Sequence, residues 1–433
     1  MRTISLCLGL LLALGQATAA QELGLELPDR QPAQIMSYRG ADWLERPERV
    51  AEEMPEEVLA TLALSDGDVV ADLGAGSGFY TRRIARLVAP SGSVYAVDVQ
   101  PEMLDILRRN VQAEGLSNVV PVLGEADDPR LPAGSVDWIL LSDVYHEFEH
   151  PEAMLARMRE ALAEGGRVAL LEYRVEDGTG DHILADHRMS VRQVMTEWEP
   201  AGFELVDLHE FLPGQHFFVF QAAGGSGTVI RHHDLLDATA EGLVEMTVRG
   251  AGERAVEISV RRLAAEPMVL TYPVGTFFEA PAGTSDMVAL RDGMVLMTDE
   301  TATWTPPARL AHPTEGEPGA SDELQVESAD DHRRERNVMW VFQGLDFPPQ
   351  IAPILEQLTL WVASADIGYD EVVEEIDPGA PIPTPNAIAL ALAYLESAGM
   401  DPTATRLWRE RDRYLPAISD PSLRGLFEEW GAA

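Results

Sequence analysis

Apolar and polar positions along the first half of the chain alternate between strand and helix periods. Val69 to Leu73 is typical of a buried strand, Phe79 to Val88 has helical spacing, and Ser93 to Val99 is a second β-branched strand. The pattern predicts these further elements: a helix over Pro101 to Ala113, strands over Val119 to Leu123 and Val136 to Val144, a helix over Pro151 to Ala163, a strand over Arg167 to Tyr173, and a closing strand pair over Phe203 to Phe211 and Gln215 to Gln221. This order predicts an α/β domain.

The turn between the first predicted strand and its helix is rich in glycine, and an acid stands at each strand end. The turn reads GAGSG at 74–78, whereas a dinucleotide fingerprint needs its third glycine one residue later, where this chain has Phe79. Asp72 closes the first strand and Asp98 the second. The spacing therefore favours a nucleoside cofactor without a pyrophosphate.

The segment VVADLGAGSGFYTRRIARLVAPSGSVYAVDV at 69–99 resembles motif I of the class I S-adenosylmethionine (SAM) methyltransferases. The resemblance implies a doubly wound, seven-stranded Rossmann-like sheet over about 36–222, with SAM as cofactor. Asp72 would hold the ammonium of the cofactor, Asp98 its ribose hydroxyls, and the amides that open the first helix its carboxylate. The turn at 124–127 would hold the adenine, with the choice of acid left open. The implied cofactor residues are Asp72, Gly74, Ala75, Gly76, Gly78, Asp98, Val99, Glu125, Asp127 and Asp143.

Shorter runs narrow the resemblance to a bacterial subgroup of methyltransferase-domain proteins without an assigned substrate. These runs are SYRGADWLERPERVAEEMPEEV at 37–58, DVYHEF at 143–148, LEYR at 171–174 and LPGQHFFVF at 212–220. The residues before the first strand are expected to fold over the cofactor; they are Tyr38, Asp42, Trp43 and Arg46, and Trp43 is equally suited to a core. Pocket residues are expected further along the chain; they are Glu172, Arg174, His187 and His216.

Candidate catalytic residues follow the fourth predicted strand. Tyr145, His146 and Glu147 leave that strand at its carboxyl end, the edge where open α/β sheets bind ligands. An imidazole with its ordinary pKa of about 6.5 can take a proton from an acceptor at neutral pH. His146 is therefore interpreted either as a general base or as a packing residue below the helix that starts at Pro151.

His146 to His150 also reads H-E-x-x-H, the signature of zinc metalloproteases. That chemistry needs both histidines on one face of a continuous helix. Pro151 follows at once, and a residue before proline is driven out of the helical region. We therefore predict a strand-to-helix loop here and no metal site, and a zinc hydrolase is disfavoured.

Composition excludes several classes of function. The 433 residues include 72 acidic and 32 basic ones, and their formal charge of −40 disfavours nucleic acid as a partner. All the basic residues are arginines, so Schiff-base chemistry and a P-loop lysine are excluded. A small-molecule acceptor is expected, and the sequence does not indicate the oligomeric state.

The start of the chain resembles a secretory signal peptide. Arg2 precedes an apolar run from Ile4 to Gly15, and Ala17 to Ala20 supplies a small-residue cleavage site. Cleavage of residues 1–20 would give an exported protein, periplasmic or extracellular, without a stable membrane span. An uncleaved segment would leave the protein cytoplasmic or anchored at its N-terminus.

Beyond the short linker at 222–227, the pattern predicts two further regions. Five short strands predict a β-rich accessory domain, a small sandwich, over 228–345; they are Leu243–Val248, Ala255–Arg261, Met268–Tyr272, Met287–Leu290 and Met294–Thr298. The acidic stretch 311–335 is expected to be a solvated loop. Helical patterns over Ile351–Ala363, Asn386–Ser397 and Pro402–Tyr414 predict a helical region over 346–433.

Together these features favour a SAM-dependent methyltransferase that modifies a small molecule. The alternative is an exported binding protein on the same fold that has lost catalysis.

Overall fold

The computed structural model describes residues 32–313, 315–376 and 379–432, which form two compact units. The first unit comprises the described residues up to His232 together with Glu266–Val269. The second comprises His233–Ala265 and the described residues from Leu270 onward. The predicted signal peptide lies outside the described residues. None of the helices in the described ranges has both the length and the apolar character needed to cross a membrane.

A seven-stranded, mostly parallel sheet forms the centre of the first unit, in the order β3-β2-β1-β4-β5-β7-β6. Its strands are β1 Val69–Leu73, β2 Ser93–Asp98, β3 Val119–Leu123, β4 Val136–Ser142, β5 Leu162–Tyr173, β6 Phe203–His209 and β7 Gln215–Ala222. The first five pair in parallel, and β7 runs antiparallel to both β5 and β6. The predicted Rossmann-like sheet and its closing strand pair are confirmed.

The helices of the first unit lie before β1 and between the strands along the chain. They are α1 Ala41–Leu44, α2 Arg49–Glu53, α3 Pro55–Leu62, α4 Phe79–Leu87, α5 Pro101–Ala113, α6 Pro151–Ala161 and α7 Val191–Trp198, with 3₁₀ turns at Tyr38–Gly40, Tyr145–Glu147 and Ala185–His187. Proline opens α3, α5 and α6, where the missing N–H costs nothing. Val70 of β1 and Ile84 of α4 are fully buried in one cluster with Leu140 of β4. This packing holds the carboxyl ends of β1 and β4 side by side.

The segment after β4 is not a continuous helix. Tyr145–Glu147 forms a single 3₁₀ turn, Phe148 is extended, and α6 starts only at Pro151. The predicted strand-to-helix loop over 146–150 is confirmed. The metalloprotease arrangement, which needs His146 and His150 on one helical face, is absent from this described segment.

The strands that follow β7 in the chain are β8 Arg231–Asp234, β9 Val244–Gly250, β10 Val256–Arg262, β11 Met268–Tyr272, β12 Phe277–Glu279, β13 Met287–Ala289, β14 Gly293–Met297, β15 Thr301–Trp304, β16 Ala308–Leu310 and β17 Glu323–Glu327. Seven of them, all in the second unit, form a sheet in the order β15-β10-β9-β17-β12-β13-β16. The sandwich arrangement stays a prediction.

The prediction of a solvated loop over 311–335 is wrong for part of that segment. β17 lies inside it and pairs antiparallel with β9, where Leu324 is buried opposite Val248. Leu324 thus faces the core from a strand, although the acidic composition of the segment is typical of a solvent-exposed loop.

Helices complete the second unit. They are α8 Leu235–Ala240, α9 Arg333–Gln343, α10 Ala352–Ala365, α11 Tyr369–Glu375, α12 Thr384–Ser397, α13 Arg406–Arg409 and α14 Pro421–Ala432, with 3₁₀ turns at Pro402–Ala404, Arg411–Arg413 and Leu415–Ala417. The predicted helix over Pro402 to Tyr414 is wrong, because Thr405 is extended and its hydroxyl accepts the Trp408 N–H to cap α13. The division of this unit into a β-rich domain and a helical region stays a prediction.

Candidate functional site

A cavity of about 380 Å³ lies in the first unit, at the carboxyl ends of β1, β2 and β4. Ligands of open α/β sheets bind at this edge. Most of the cofactor residues implied by the sequence line the cavity: Asp72, Gly74, Ala75, Gly76, Asp98, Val99, Glu125 and Asp143. The structure therefore brings these residues together at the edge of the sheet that the sequence predicts, and their role in cofactor binding stays a prediction.

The glycine turn after β1 is required by geometry. Gly74 and Gly76 have φ of +77° and +53°, in the left-handed region that L side chains rarely adopt. A Cβ on Gly74 would lie 2.4 Å from Cγ2 of Val144, and one on Gly76 would lie 2.9 Å from Cδ1 of Leu44. Both glycines let the turn approach the segments on either side of the cavity.

Asp98 links the end of β2 to this turn. Its two carboxylate oxygens accept the N–H groups of Gly76, at 3.1 Å, and Gln100, at 2.9 Å. Burial raises the pKa of Asp98, although the backbone donors of Gln100 and Gly76 oppose the shift. The carboxylate is thus fixed at the cavity edge, where its remaining lone pairs can accept hydroxyls.

Asp72 lies deeper in the cavity, at the end of β1. Its carboxylate accepts the Thr81 hydroxyl of α4. Burial raises its pKa to about 6, against the lowering effects of Thr81 and the Arg49 guanidinium. A bound cation would favour its charged form.

Two buried charged residues of α2 also line the cavity, and the sequence analysis did not identify them. Nε of Arg49 lies 2.5 Å from Oε1 of Glu53, and Arg49 stacks on Phe79 with its Cζ 4.2 Å from the ring centre. The pair has the i,i+4 spacing of an ordinary helical ion pair. This spacing occurs on many exposed helices, so it gives no signal that the pair reaches the cavity.

Carboxylates outnumber basic side chains around the cavity. Seven carboxylates and one guanidinium are among the lining residues; the carboxylates are Glu53, Asp72, Asp98, Glu125, Asp143, Glu147 and Glu149. Burial, together with nearby Glu53 and Glu172, holds the pKa of Asp143 well above its usual range. The cavity is therefore suited to a cationic ligand.

The segment before α1 lies over the cavity. Met36 donates its N–H to Glu147 at 3.1 Å, and its carbonyl accepts from the Gln100 side chain at 2.8 Å. Trp43 lines the cavity while 45% exposed, so it is not a core residue, and the Arg46 guanidinium stacks on its ring at 3.5 Å. The predicted covering segment thus lies between the loops that follow β2 and β4.

Three of the residues expected to bind the cofactor or to act in catalysis do not line the cavity. Gly78 caps α4, with the position of its missing Cβ 3.2 Å from Leu107, and Asp127 is exposed in the loop after β3. Tyr145 is a correction: its fully buried ring packs against Trp198, and its hydroxyl donates to Glu197 at 2.5 Å. The geometry gives Tyr145 a packing position and no access to a substrate.

His146 lines the cavity, is buried, and makes a close contact with β5. Its Nδ1 lies 2.6 Å from Oε2 of Glu172, which is itself completely buried. Burial alone would lower the pKa of His146, but the Glu172 carboxylate outweighs it and the pKa is raised. Glu147 lies beside it, and burial raises its pKa to about 7.

His187 joins His146 and Glu147 at this end of the cavity. The two imidazole rings lie 4.9 Å apart, and both line the cavity with Glu147. By contrast, His216 lies outside the lining. Its imidazole is buried, and its two ring nitrogens each lie 2.8 Å from a carboxylate, of the exposed Glu210 and the buried Glu176. Arg174 pairs with the same Glu210 at 2.9 Å.

Comparison with known proteins identifies the central part of this unit. Residues 70–166 match a family model described as a methyltransferase domain. An aklanonic acid methyltransferase of Streptomyces sp. strain C5 is 29% identical over 136 residues, which cover 31% of this chain and 61% of that protein. An arsenite methyltransferase of Halobacterium salinarum is 33% identical over 158 residues, covering 34% of this chain and 40% of that protein.

One solved structure also aligns with part of the chain. A SAM-dependent methyltransferase from Aquifex aeolicus aligns with a TM-score of 0.41 and 26% identity, covering 43% of this chain and 98% of that one. The chain spans less than two thirds of the length of the two curated relatives above. The resemblance to class I SAM-dependent methyltransferases is confirmed for this part of the chain.

Proposed function

We propose that this chain, with its class I methyltransferase domain, transfers the methyl group of SAM to a small-molecule acceptor. The observation that carries the proposal is the position of Asp98. Asp98 ends β2 at the cavity. Residues 70–166, which match the family model, also contain the glycine turn and the strands that form this edge of the sheet. The alternative of a binding protein that has lost catalysis has no support among these observations.

The cavity fits SAM in volume and charge. Its roughly 380 Å³ falls within the range of small-molecule and cofactor sites. SAM carries a sulfonium and an ammonium group, and the excess of carboxylates around the cavity complements both. Asp98 would accept the ribose hydroxyls, Asp72 would face the ammonium, and Glu125 is the lining acid within the proposed adenine turn.

When bound, SAM supplies an electrophilic methyl group, whose bond to sulfur breaks as a bond to the acceptor forms. The protein must hold the acceptor in line, about 3 to 3.5 Å away, and exclude water. The covering segment, fixed to Glu147 and Gln100, performs the second task. The end of the cavity lined by His146, Glu147 and His187 is the proposed acceptor side.

The nature of the partners follows from the same observations. A nucleic-acid acceptor is disfavoured, because its phosphates would be repelled by a chain of charge −40 and by the carboxylates of the cavity. Export through the predicted signal peptide stays a prediction, and an exported enzyme would need SAM outside the cytoplasm.

Calorimetric titration of the purified chain with SAM, and with its demethylated product S-adenosylhomocysteine, tests the cofactor assignment. We expect one equivalent of SAM to bind. Lack of saturable binding to folded protein would overturn the proposal. Small molecules are then screened as acceptors by transfer of an isotopically labelled methyl group, and a chain that binds SAM but transfers no methyl to any acceptor would favour the binding protein.

A further inference from the structure

Three possible metal ligands meet at the proposed acceptor side. His146, Glu147 and His187 each offer one ligand atom, and these atoms lie within 4.8 Å of one another. They come from two separate 3₁₀ turns, Tyr145–Glu147 and Ala185–His187. Because the two histidines are 41 positions apart in the chain, their meeting is a property of the fold.

Each histidine is already oriented by a carboxylate. Nδ1 of His146 lies 2.6 Å from Glu172, and Nδ1 of His187 lies 2.6 Å from Asp186. A carboxylate accepts hydrogen bonds, so each Nδ1 carries a proton, and in the neutral ring each Nε2 then has the lone pair that a metal ion needs. Metal-binding histidines commonly show this arrangement, in which a carboxylate fixes the ring and increases the basicity of the ligating nitrogen.

We propose that His146, Glu147 and His187 bind one divalent metal ion of the first transition row at the acceptor side of the cavity. Two imidazoles and one carboxylate suit zinc, iron(II), cobalt(II) or nickel(II), whereas magnesium and calcium prefer oxygen ligands. Three protein ligands leave at least one coordination position open to the cavity.

The three ligand atoms must move closer together to coordinate an ion. Ligands about 2.1 Å from a tetrahedral metal lie about 3.4 Å from one another, so the widest pair must approach by about 1.4 Å. His146 is fixed by burial, with its side chain 3% exposed, whereas the side chain of His187 is 24% exposed. We expect the 3₁₀ turn of His187 to supply the movement.

This site differs from the metalloprotease motif in its third ligand. His150 is exposed, immediately precedes α6, and is not among the clustered ligands. Glu147, which would be a general base in that motif, is here a ligand. Ligation would use Nε2 of His146, so a bound metal excludes this nitrogen as a proton acceptor.

The test measures metal binding to the full chain after treatment with a chelator. Calorimetry with Zn²⁺, and visible absorption with Co²⁺, should show one equivalent bound. His187→Ala should weaken binding by at least about 100-fold, since one of three ligands is lost. His150 and His182 are exposed histidines outside the clustered ligands, so His150→Ala and His182→Ala are matched controls that should bind as the unmodified chain does. Glu172→Gln should weaken metal binding by about 10- to 100-fold.

Two results would overturn the site: no saturable binding at one equivalent, or equal binding by His187→Ala and the unmodified chain. The metal-free melting temperature of His187→Ala shows whether that variant folds, and His187→Gln serves if it does not. SAM titration of the same variant separates this inference from the proposed function. SAM should still bind when the metal site is lost, and failure of every form to bind SAM would sink the cofactor assignment alone.

Discussion

His146 and Glu172 form a buried pair across the carboxyl ends of the neighbouring strands β4 and β5. Nδ1 of His146 and Oε2 of Glu172 are 2.6 Å apart, and Oε1 of Glu172 accepts the Tyr145 N–H at 2.8 Å. One carboxylate thus fixes both the backbone of the loop after β4 and the orientation of the imidazole. The other ring nitrogen of His146, Nε2, is then available either as a base for the acceptor or as a metal ligand.

Replacement of His146 by Ala should therefore reduce methyl transfer while nearly preserving SAM affinity. A loss of about 10² to 10⁴ in turnover is expected for the removal of a group that acts on the acceptor. Turnover per folded molecule and the SAM dissociation constant should be measured on one preparation. A stability loss with unchanged turnover would show that His146 is a packing residue.

Tyr145→Phe should behave in the opposite way. Removal of the hydroxyl breaks the hydrogen bond to Glu197 inside the core, so the free energy of unfolding should fall by about 1 kcal/mol. Turnover should stay near that of the unmodified protein, because the ring lies outside the cavity lining. A large loss of turnover in a fully folded variant would restore the catalytic role that the sequence predicts for Tyr145.

Asp98→Ala should weaken SAM binding by about 2 kcal/mol or more, roughly 30-fold, because the ribose hydroxyls lose a charged acceptor. Asp105→Ala is the matched control, since Asp105 lies exposed on α5 with only Arg108 as its ion-pair partner. Calorimetry of both variants measures the difference. Equal SAM affinity in the two folded variants would remove the ribose assignment.

The two acids of the proposed adenine turn can be separated in the same way. Both acids are exposed, but Glu125 lines the cavity and Asp127 lies outside the lining. Glu125→Ala should therefore weaken SAM binding, and Asp127→Ala should leave it unchanged. A loss confined to Asp127→Ala would move the adenine to the other acid and would require the loop after β3 to close on the cofactor.

Local patterns in the sequence predict the elements that form the cavity, and long-range packing decides what they cannot predict. Val119–Leu123 and Pro101–Ala113 have the predicted bounds, because hydrophobic period and an opening proline are local signals. Asp98 is similarly fixed by its position at the end of a strand. The Arg49–Glu53 pair reaches the cavity only because α2 packs against α4 through Phe79, a contact without a local pattern.

The loop after β4 shows a second limit. Tyr145 and His146 are consecutive, yet the tight 3₁₀ turn directs Tyr145 into the core against Trp198 and His146 towards the cavity. A sequence predicts that a loop occurs at this strand end, but the direction of each side chain depends on the turn. The approach of His187 likewise depends on the path of the chain after β5.

The buried cluster around His216 gives a stability prediction with a defined pH dependence. Burial would lower the pKa of His216, but the carboxylates of Glu210 and Glu176 outweigh it and raise the pKa to about 10. A raised folded-state pKa means that the stabilisation is fully present below about pH 6.5, the unfolded-state value, and is lost as the pH rises towards about 10. His216→Gln should reduce the free energy of unfolding by about 2 kcal/mol at pH 6.5, because the buried carboxylate of Glu176 and the more exposed carboxylate of Glu210 lose their cation.

Chemical denaturation of both proteins between pH 6.5 and 10 measures this effect, and the stability difference between them should shrink as the pH rises. His150→Gln is the control for loss of a histidine, since His150 is exposed and should change stability by no more than about 0.5 kcal/mol. A difference that stays constant over this pH range would mean that His216 is neutral in the folded protein. The cluster would then stabilise the sheet through hydrogen bonds and packing, without a buried charge.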